Sequence, residues 1–175
     1  MLRFVTPPPL PTRRDAGEPY RVCLVCLGNI CRSPMAEVVL RSSIDRAGLS
    51  SQVVVDSAGT GDWHLGQRMN SGARSALARR GYDGSGHRAR QIDASWFDSR
   101  DVLLAMDRSN LLALLRMGGA PDRVLLFGDV AGSGAEVPDP YGGSPADFDR
   151  VLGQLEAAAP EVTSRLARVV ASPSA

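Results

Sequence analysis

The sequence predicts an α/β fold built on an open, doubly wound sheet of four parallel strands with helices on both faces. Four short apolar runs are spaced along the chain, and segments with helical periodicity lie between them. Such runs are typical of parallel strands, which are buried on both faces. The first run also ends at a glycine-containing turn that leads into a helix, and ligands bind at this kind of turn in such sheets.

The four predicted strands are the β-prone runs RVCLVC at 21–26, QVVVDSA at 52–58, DVLLAM at 101–106 and RVLLF at 123–127. The first helix is predicted to begin with Pro34 at its first position and to end before Gly48. Its apolar stripe consists of Ala36, Leu40, Ile44 and Ala47.

Three further helices are predicted, at 74–80, at 109–117 and after the turn at 141–145. The last one rests on six apolar residues that keep helical spacing: Phe148, Val151, Leu152, Leu155, Val162 and Leu166. Pro160 falls inside this pattern. Because proline removes a backbone donor and clashes with the preceding turn, it is expected to kink or divide the helix.

Length and composition predict a single folded domain. The chain has 175 residues, which suffices for one buried core. Residues 1–19 are rich in proline and lack the apolar segment of a signal peptide. We therefore expect a disordered extension over 1–19, a domain over 20–170 and a flexible tail over 171–175, in a protein that is a monomer or weak dimer.

Charge and cysteine content exclude several classes of partner. The net charge is +1, all 20 basic residues are arginine, and the chain has neither a polybasic tract nor a run of about 18 apolar residues. We therefore expect neither nucleic acid nor a membrane as a partner. Three cysteines within nine positions do not form the disulfide framework of a secreted protein, which favours a reducing, cytoplasmic location.

The turn between the first strand and the first helix carries the clearest chemistry. Short loops at helix N-termini point amide N–H groups inward and add the positive end of the helix dipole, which makes a cradle for a tetrahedral anion. Here a cysteine and an arginine bracket a five-residue loop, in the order Cys26, Leu27, Gly28, Asn29, Ile30, Cys31, Arg32 and Ser33. Glycine and asparagine, at 28 and 29, tolerate left-handed backbone conformations. The arginine at 32 can bind two phosphate oxygens.

Cys26 is predicted to be a nucleophile. The field that binds a phosphate also stabilises a thiolate at the base of the loop, and the thiolate is the attacking form of cysteine. A free cysteine at a strand end is otherwise a small buried hydrophobe, which is our interpretation of Cys23. Ser33 can donate a hydrogen bond to the sulfur or cap the helix that follows.

The loop and its continuation closely resemble the C-x5-R-S signature of the low-molecular-weight protein tyrosine phosphatases. The resemblance extends over about residues 20–165. It implies a phosphotyrosine protein phosphatase I-like fold and hydrolysis of phosphotyrosine in a protein substrate through a phosphocysteine intermediate, without cofactor or metal. The matching segments are Pro34 to Glu37 after the loop, VDSAGT around Ser57, GHRARQI around His87, AMDRSN at 105–110 and DPYGG at 139–143.

The resemblance also implies roles for residues outside the loop. Asp139 matches the general acid that protonates the leaving oxygen and later activates water, although an Asp-Pro pair alone more often marks a turn. Trp63 and Tyr141 match aromatic walls around the substrate ring, with core packing an equal alternative for Trp63. Gly142 stands where many family members have a second tyrosine, so a more open rim is expected.

Further residues match positions that support the loop. Ser57 and His87 match residues that hydrogen-bond Asn29 in the family and hold the loop in its shape. Asp107 is interpreted as a helix cap rather than a catalyst. His64 receives no role.

Three other functions stay open. A protein-arginine phosphatase of the same family is compatible with the DPYGG segment. That branch has a threonine where Ile30 stands, and the threonine hydroxyl suits a polar guanidinium whereas isoleucine suits an aryl ring. A thiol-dependent arsenate reductase needs cysteines after Cys31, and none occurs. A redox-sensing or phosphate-binding module could use Cys31 as the disulfide partner of Cys26 if their Cα atoms lie within about 7 Å. The same bond would inactivate an enzyme reversibly under peroxide.

Overall fold

The computed structural model describes residues 6–172 and confirms the predicted four-stranded parallel sheet. The neighbouring strands are parallel and lie in the order β2-β1-β3-β4. The chain therefore winds outward from β1 in both directions, as an open, doubly wound sheet does. The strands are β1 (Tyr20–Cys26), β2 (Val53–Gly59), β3 (Val102–Ala105) and β4 (Val124–Leu126).

The described part of the chain contains six helices. They are α1 (Arg32–Arg46), α2 (Ser71–Arg79), α3 (Ala94–Ser99), α4 (Arg108–Arg116), α5 (Phe127–Val130) and α6 (Pro145–Ala171). Helices α3 and α5 are absent from the sequence-based prediction, because six and four residues are too few to establish a helical period. Over residues 6–172, no helix is both long enough and apolar enough to cross a membrane.

The structure shows where two prolines lie in their helices. Helix α1 begins at Arg32, so Pro34 is its third residue; the N–H groups of a first turn have no helical acceptor, so proline is tolerated there. Pro160 lies inside α6, which continues through it as one helix; the proline therefore does not divide the helix, and a kink stays a prediction. Leu155 and Val162 on either side of this proline are buried, and their packing holds the two halves of the helix in one layer.

Helices cover both faces of the sheet. Side chains of β1 alternate between two cores, with Val22 and Leu24 in the larger core and Cys23 and Val25 in the smaller one. The larger core includes buried residues of α1, α2 and α6, and the smaller one includes residues of α3 and α4. The predicted burial of the sheet on both faces is thus confirmed, and Cys23 is a core residue, as expected.

The carboxyl end of β1 lies where the sheet changes its winding direction. Cys26 is the last residue of β1 and pairs with Gly59 at the end of β2, while β3 lies on the other side. The loops that follow these parallel strands open at one edge of the sheet, where ligands of doubly wound folds bind. The fold therefore places the loop at 27–31 at this edge.

Residues 6–19 run along the domain without helix or strand. The Arg165 guanidinium donates a hydrogen bond to the Pro8 carbonyl at 2.5 Å, and the Tyr20 hydroxyl donates one to the Pro11 carbonyl at 2.8 Å. Side chains of the domain therefore satisfy carbonyls of the proline run, and the disordered extension expected over 1–19 stays a prediction. Residues 1–5 and 173–175 lie outside the described residues, and the domain boundaries stay predictions.

Candidate active site

The loop between β1 and α1 borders a small cavity. The backbone N–H groups of residues 27–31 donate no hydrogen bond to an acceptor within residues 6–172, and α1 begins directly after them. They are thus available to an anion, beside the positive end of the α1 dipole. The cavity has a volume of about 230 Å³ and is lined by residues 26–28 and 30–32 together with Trp63, His64, Asp139 and Tyr141.

Cys26 lies at the base of this loop and is only 3% exposed. Its Sγ is 3.0 Å from Oγ of Ser33. The N-cap of α1 is Cys31 rather than Ser33, so of the two roles expected for Ser33 the structure shows the contact with sulfur. A serine hydroxyl at this distance can donate a hydrogen bond to a thiolate.

Arg32 is buried beside the cavity and paired with an acidic residue. Its Nη1 donates hydrogen bonds to Asp107 Oδ2 at 2.5 Å and to the Val137 carbonyl at 3.2 Å. Burial lowers the pKa of Arg32, but the hydrogen bond with Asp107 and nearby negative charges raise it above its ordinary value, so the guanidinium stays charged. Asp107 also caps α4, as predicted, by accepting from the Asn110 N–H at 2.7 Å; its pairing with Arg32 is absent from the sequence-based prediction.

Asp139 lies near Arg32 at the mouth of the cavity. Its Oδ2 is 3.4 Å from Nη2 of Arg32, and its side chain is 45% exposed. Its Oδ1 accepts a hydrogen bond from the Tyr141 N–H at 3.1 Å, a local turn of the kind that aspartate stabilises. The turn expected from the Asp-Pro pair is therefore present, and it places one carboxylate oxygen beside the arginine.

Asn29 fixes the shape of the loop. It is fully buried and has a left-handed φ of 55°. Its Nδ2 donates to the hydroxyl oxygens of Ser33 and Ser57, each at 2.9 Å. Its carbonyl accepts a hydrogen bond from Nε2 of His87 at 2.7 Å. Both contacts expected from Ser57 and His87 are thus present behind the loop.

Gly28 differs from the expectation, because it does not have a positive φ. A Cβ at this position would lie 2.9 Å from Cδ2 of His64, so the missing side chain permits a close approach. Gly59 has a similar role on β2, where a Cβ would lie 2.7 Å from the Leu27 carbonyl oxygen. These two glycines let neighbouring segments pack directly on the loop.

Glu37 extends the hydrogen bonds behind the loop and is absent from the sequence-based site. Its Oε2 accepts a hydrogen bond from the Ser57 hydroxyl at 2.6 Å. The chain of hydrogen bonds therefore runs from Glu37 through Ser57 and Asn29 to Ser33. Ser33 and Glu37 are four positions apart on α1 and share one helix face, a spacing that could have indicated Glu37.

His87 is expected to make the stability of the protein depend on pH. Burial lowers the pKa of His87 below its ordinary value of 6.5, although the hydrogen bond with Asn29 and the charge of Glu37 oppose this shift. The unfolded chain binds the proton more readily, so the free energy of unfolding falls as the pH drops below about 6.5. Urea unfolding at about pH 7.5 and about pH 5.5 should show a smaller loss for His87→Gln than for wild type. Equal losses would contradict this assignment.

Aromatic side chains form the outer walls of the cavity. Trp63 is 66% exposed and Tyr141 is 60% exposed, which excludes core packing for Trp63. The Trp63 ring lies over Gly61, where a Cβ would come within 1.7 Å of it. The ring centroids of His64 and Tyr141 are 6.1 Å apart, with an interplanar angle of 49°. His64, for which the sequence predicts no role, therefore belongs to the same wall.

Cys31 lines the cavity as a neutral thiol. Burial, together with the charges of Asp139 and Cys26, raises the pKa of Cys31 from its ordinary value of 9.0 to about 12, and Arg32 offsets only part of this shift. Because a thiol is a much weaker nucleophile than a thiolate, Cys31 is a less reactive cysteine than one of ordinary pKa.

Known proteins similar to this chain are phosphatases. The family model of the low molecular weight phosphotyrosine protein phosphatases matches residues 21–172. A low molecular weight protein-tyrosine-phosphatase of Streptomyces coelicolor is 47% identical over 146 residues, 79% of this chain and 88% of the relative. The crystal structure of a protein tyrosine phosphatase from Entamoeba histolytica is 35% identical, with a TM-score of 0.80 over 85% of this chain and 97% of that one. The structure of a cysteine-to-serine mutant of the YwlE arginine phosphatase, with a phosphorylated active-site serine, is 29% identical, with a TM-score of 0.78 over 85% of this chain and 96% of that one.

Proposed function

Because the chain belongs to the low molecular weight phosphotyrosine protein phosphatase family and is therefore a phosphatase, we propose that it hydrolyses phosphotyrosine in proteins through a phosphocysteine intermediate on Cys26. The proposal rests on the position of the Cys26 sulfur beside Arg32, at the base of a loop whose five amides have no acceptor within residues 6–172. An environment that binds a phosphate dianion also stabilises the thiolate that attacks it.

In the first step, the Cys26 thiolate attacks the phosphorus in line with the bond to the phenol oxygen. The S–P bond forms as the P–O bond breaks, while the loop amides and Arg32 hold the three equatorial oxygens. Asp139 donates its proton to the leaving oxygen, so the tyrosine departs as a neutral phenol. Ser33, 3.0 Å from the sulfur, hydrogen-bonds to it while it is anionic.

In the second step, water attacks the phosphorus of phosphocysteine from the side that the phenol has left. Asp139, now a carboxylate, accepts a proton from this water, and the S–P bond breaks to give inorganic phosphate and the Cys26 thiolate. The partial exposure of the Asp139 side chain gives water access to this position. The proposed steps use protein groups and water alone.

The cavity suits an aryl phosphate better than a phosphorylated guanidinium. Trp63 and Tyr141 present aromatic surfaces to a substrate ring. Ile30 adds an apolar side chain to the lining and offers no acceptor for the N–H groups of the phosphoarginine guanidinium. The likeness to the YwlE arginine phosphatase makes phosphoarginine the second candidate substrate.

Ile30→Thr is expected to shift this preference. Wild type should hydrolyse a phosphotyrosine peptide with a kcat/KM at least ~10-fold above that for the matched phosphoarginine peptide. The variant should lower this ratio by about 10-fold, because a polar group that lacks its hydrogen bond costs roughly 1–3 kcal/mol. Turnover of p-nitrophenyl phosphate by both proteins controls for damage to the loop. Preference of wild type for phosphoarginine would contradict the proposed substrate.

We further propose that Cys31 is the redox partner of Cys26. Both cysteines line the cavity and are free thiols. Peroxide would oxidise Cys26 to a sulfenic acid, and attack by the Cys31 thiol would form a disulfide and release water.

Free cysteines also favour the proposed cytoplasmic location, where the enzyme would act as a monomer or weak dimer on protein substrates.

A further inference from the structure

We infer that a groove beside the catalytic cavity binds the polypeptide that flanks the phosphotyrosine of a protein substrate, an inference that rests on the proposed function. The groove has a volume of about 470 Å³ and lies between the start of α2 and the segment that leads into α6. Its lining includes Asn70, Ser71, Ser75, Arg79, Gly142 and Gly143. None of these residues lines the catalytic cavity, so the groove is a separate surface.

The groove and the cavity share two borders. At the first, the Asn70 N–H of the groove donates a hydrogen bond at 2.8 Å to the carbonyl of Ile30, which lines the cavity. At the second, Tyr141 of the cavity wall is followed directly by Gly142 of the groove. A peptide whose phosphotyrosine enters the cavity can therefore continue across either border into the groove.

Gly142 keeps the second border open. Its φ is 75°, and no heavy atom lies within 4 Å of the position that a Cβ would occupy. Its backbone conformation is one that other residues adopt only with strain. Many members of the family that this chain resembles have a second tyrosine at this position, so the chain has a gap where they have a side chain. The gap leaves room for a substrate backbone next to Tyr141.

The lining favours a polar segment with an acidic residue. Ser71 and Ser75 are exposed on α2, and their hydroxyls can bond to a peptide backbone. Arg79 is the charged residue of the lining. Its guanidinium pairs with Asp149 at 2.7 Å, and its side chain is 48% exposed, so it can also reach a carboxylate of the substrate. Because Asp149 already neutralises part of this charge, the preference for an acidic residue should be modest.

The first test fills the groove. Ser75→Trp is compared with Ser164→Trp, which places the same side chain on an exposed serine of α6. Ser164 lies 19 positions, or about 28 Å along the helix, from Pro145 in the groove lining. The substrates are p-nitrophenyl phosphate, a capped phosphotyrosine, and peptides extended on either side of it. Extension on one side should raise the kcat/KM of wild type by about 10-fold, equal to ~1.4 kcal/mol. Ser75→Trp should abolish this gain and Ser164→Trp should retain it, with p-nitrophenyl phosphate turnover unchanged in both.

Three results would overturn the inference. The first is that extending the peptide on either side leaves the kcat/KM of wild type unchanged. The second is that the gain from extension survives in Ser75→Trp. The third is that Ser75→Trp loses turnover of p-nitrophenyl phosphate and of the peptide equally, which would place its effect in the cavity. Failure of the proposed function is a different outcome, since wild type would then hydrolyse neither phosphotyrosine nor p-nitrophenyl phosphate.

The second test addresses charge. The extended peptides carry either glutamate or lysine on the side of the phosphotyrosine whose extension raises kcat/KM. For wild type, the kcat/KM of the glutamate peptide should be about threefold above that of the lysine peptide, the scale expected for an exposed ion pair. Arg79→Met should remove this difference, whereas Arg116→Met, at the matching last turn of α4, should preserve it. A preference that survives in Arg79→Met would overturn the role of this arginine.

Discussion

Replacing Cys26 with serine is expected to abolish turnover, lowering the kcat/KM for p-nitrophenyl phosphate by at least ~10⁴-fold. The serine hydroxyl does not ionise under conditions that stabilise a thiolate, so the attacking group is lost. The loop amides and Arg32 are unchanged, and serine is close to cysteine in size. Binding of inorganic phosphate, measured by titration calorimetry, should therefore persist in the variant.

Cys23→Ala provides the matched control for this experiment. Cys23 lies on the same strand but faces the smaller core on the opposite side of the sheet. Its replacement should reduce stability, because it removes a buried side chain, yet leave the kcat of the folded protein near that of wild type. Activity of Cys26→Ser within 10-fold of wild type would contradict the assignment of Cys26 as the nucleophile.

Replacing Asp139 with asparagine is expected to lower kcat for a phosphotyrosine peptide by ~10²- to 10³-fold, the usual contribution of a general acid. Asparagine cannot donate a proton to the phenolate or take one from water. Its side-chain oxygen can still accept the Tyr141 N–H that Asp139 Oδ1 binds, so the turn should be preserved. With p-nitrophenyl phosphate the first step should suffer less, because p-nitrophenolate leaves more readily.

Asp122→Asn is the control for this variant, since Asp122 is an exposed carboxylate outside the cavity. Its kcat should equal that of wild type. The leaving group separates a chemical role from a structural one: Asp139→Asn should lose more activity with a phosphotyrosine peptide than with p-nitrophenyl phosphate, because p-nitrophenolate leaves readily without a proton. A kcat for the peptide within threefold of wild type would remove Asp139 from the mechanism.

The part of the site that could be predicted from the residues alone is the part whose geometry is local. Cys26 and Arg32 stand six positions apart, and a short turn into a helix fixes their relation. Asp139 is 107 positions from Arg32, and an Asp-Pro pair does not specify which distant residue it will approach. Only the resemblance to a known family placed it in the site.

The contacts behind the loop show the same distinction. The capping role of Asp107 is local and could be predicted, whereas its ion pair with Arg32 depends on β3 lying beside β1. Glu37 meets Ser57 only because β2 pairs with β1 on the other side. Gly28 shows a further limit, because a glycine in a loop indicates either a left-handed backbone or a close neighbour.

The most direct test of the central claim is to trap the phosphocysteine. Asp139→Asn should accumulate this intermediate with p-nitrophenyl phosphate, because the good leaving group allows the first step while the second lacks its base. The reaction would be quenched with denaturant and the phosphorylated residue located by peptide mass spectrometry. We predict one phosphoryl group on Cys26, formed in step with a burst of p-nitrophenol. A burst without phosphate on Cys26, or phosphate on another residue, would contradict the account.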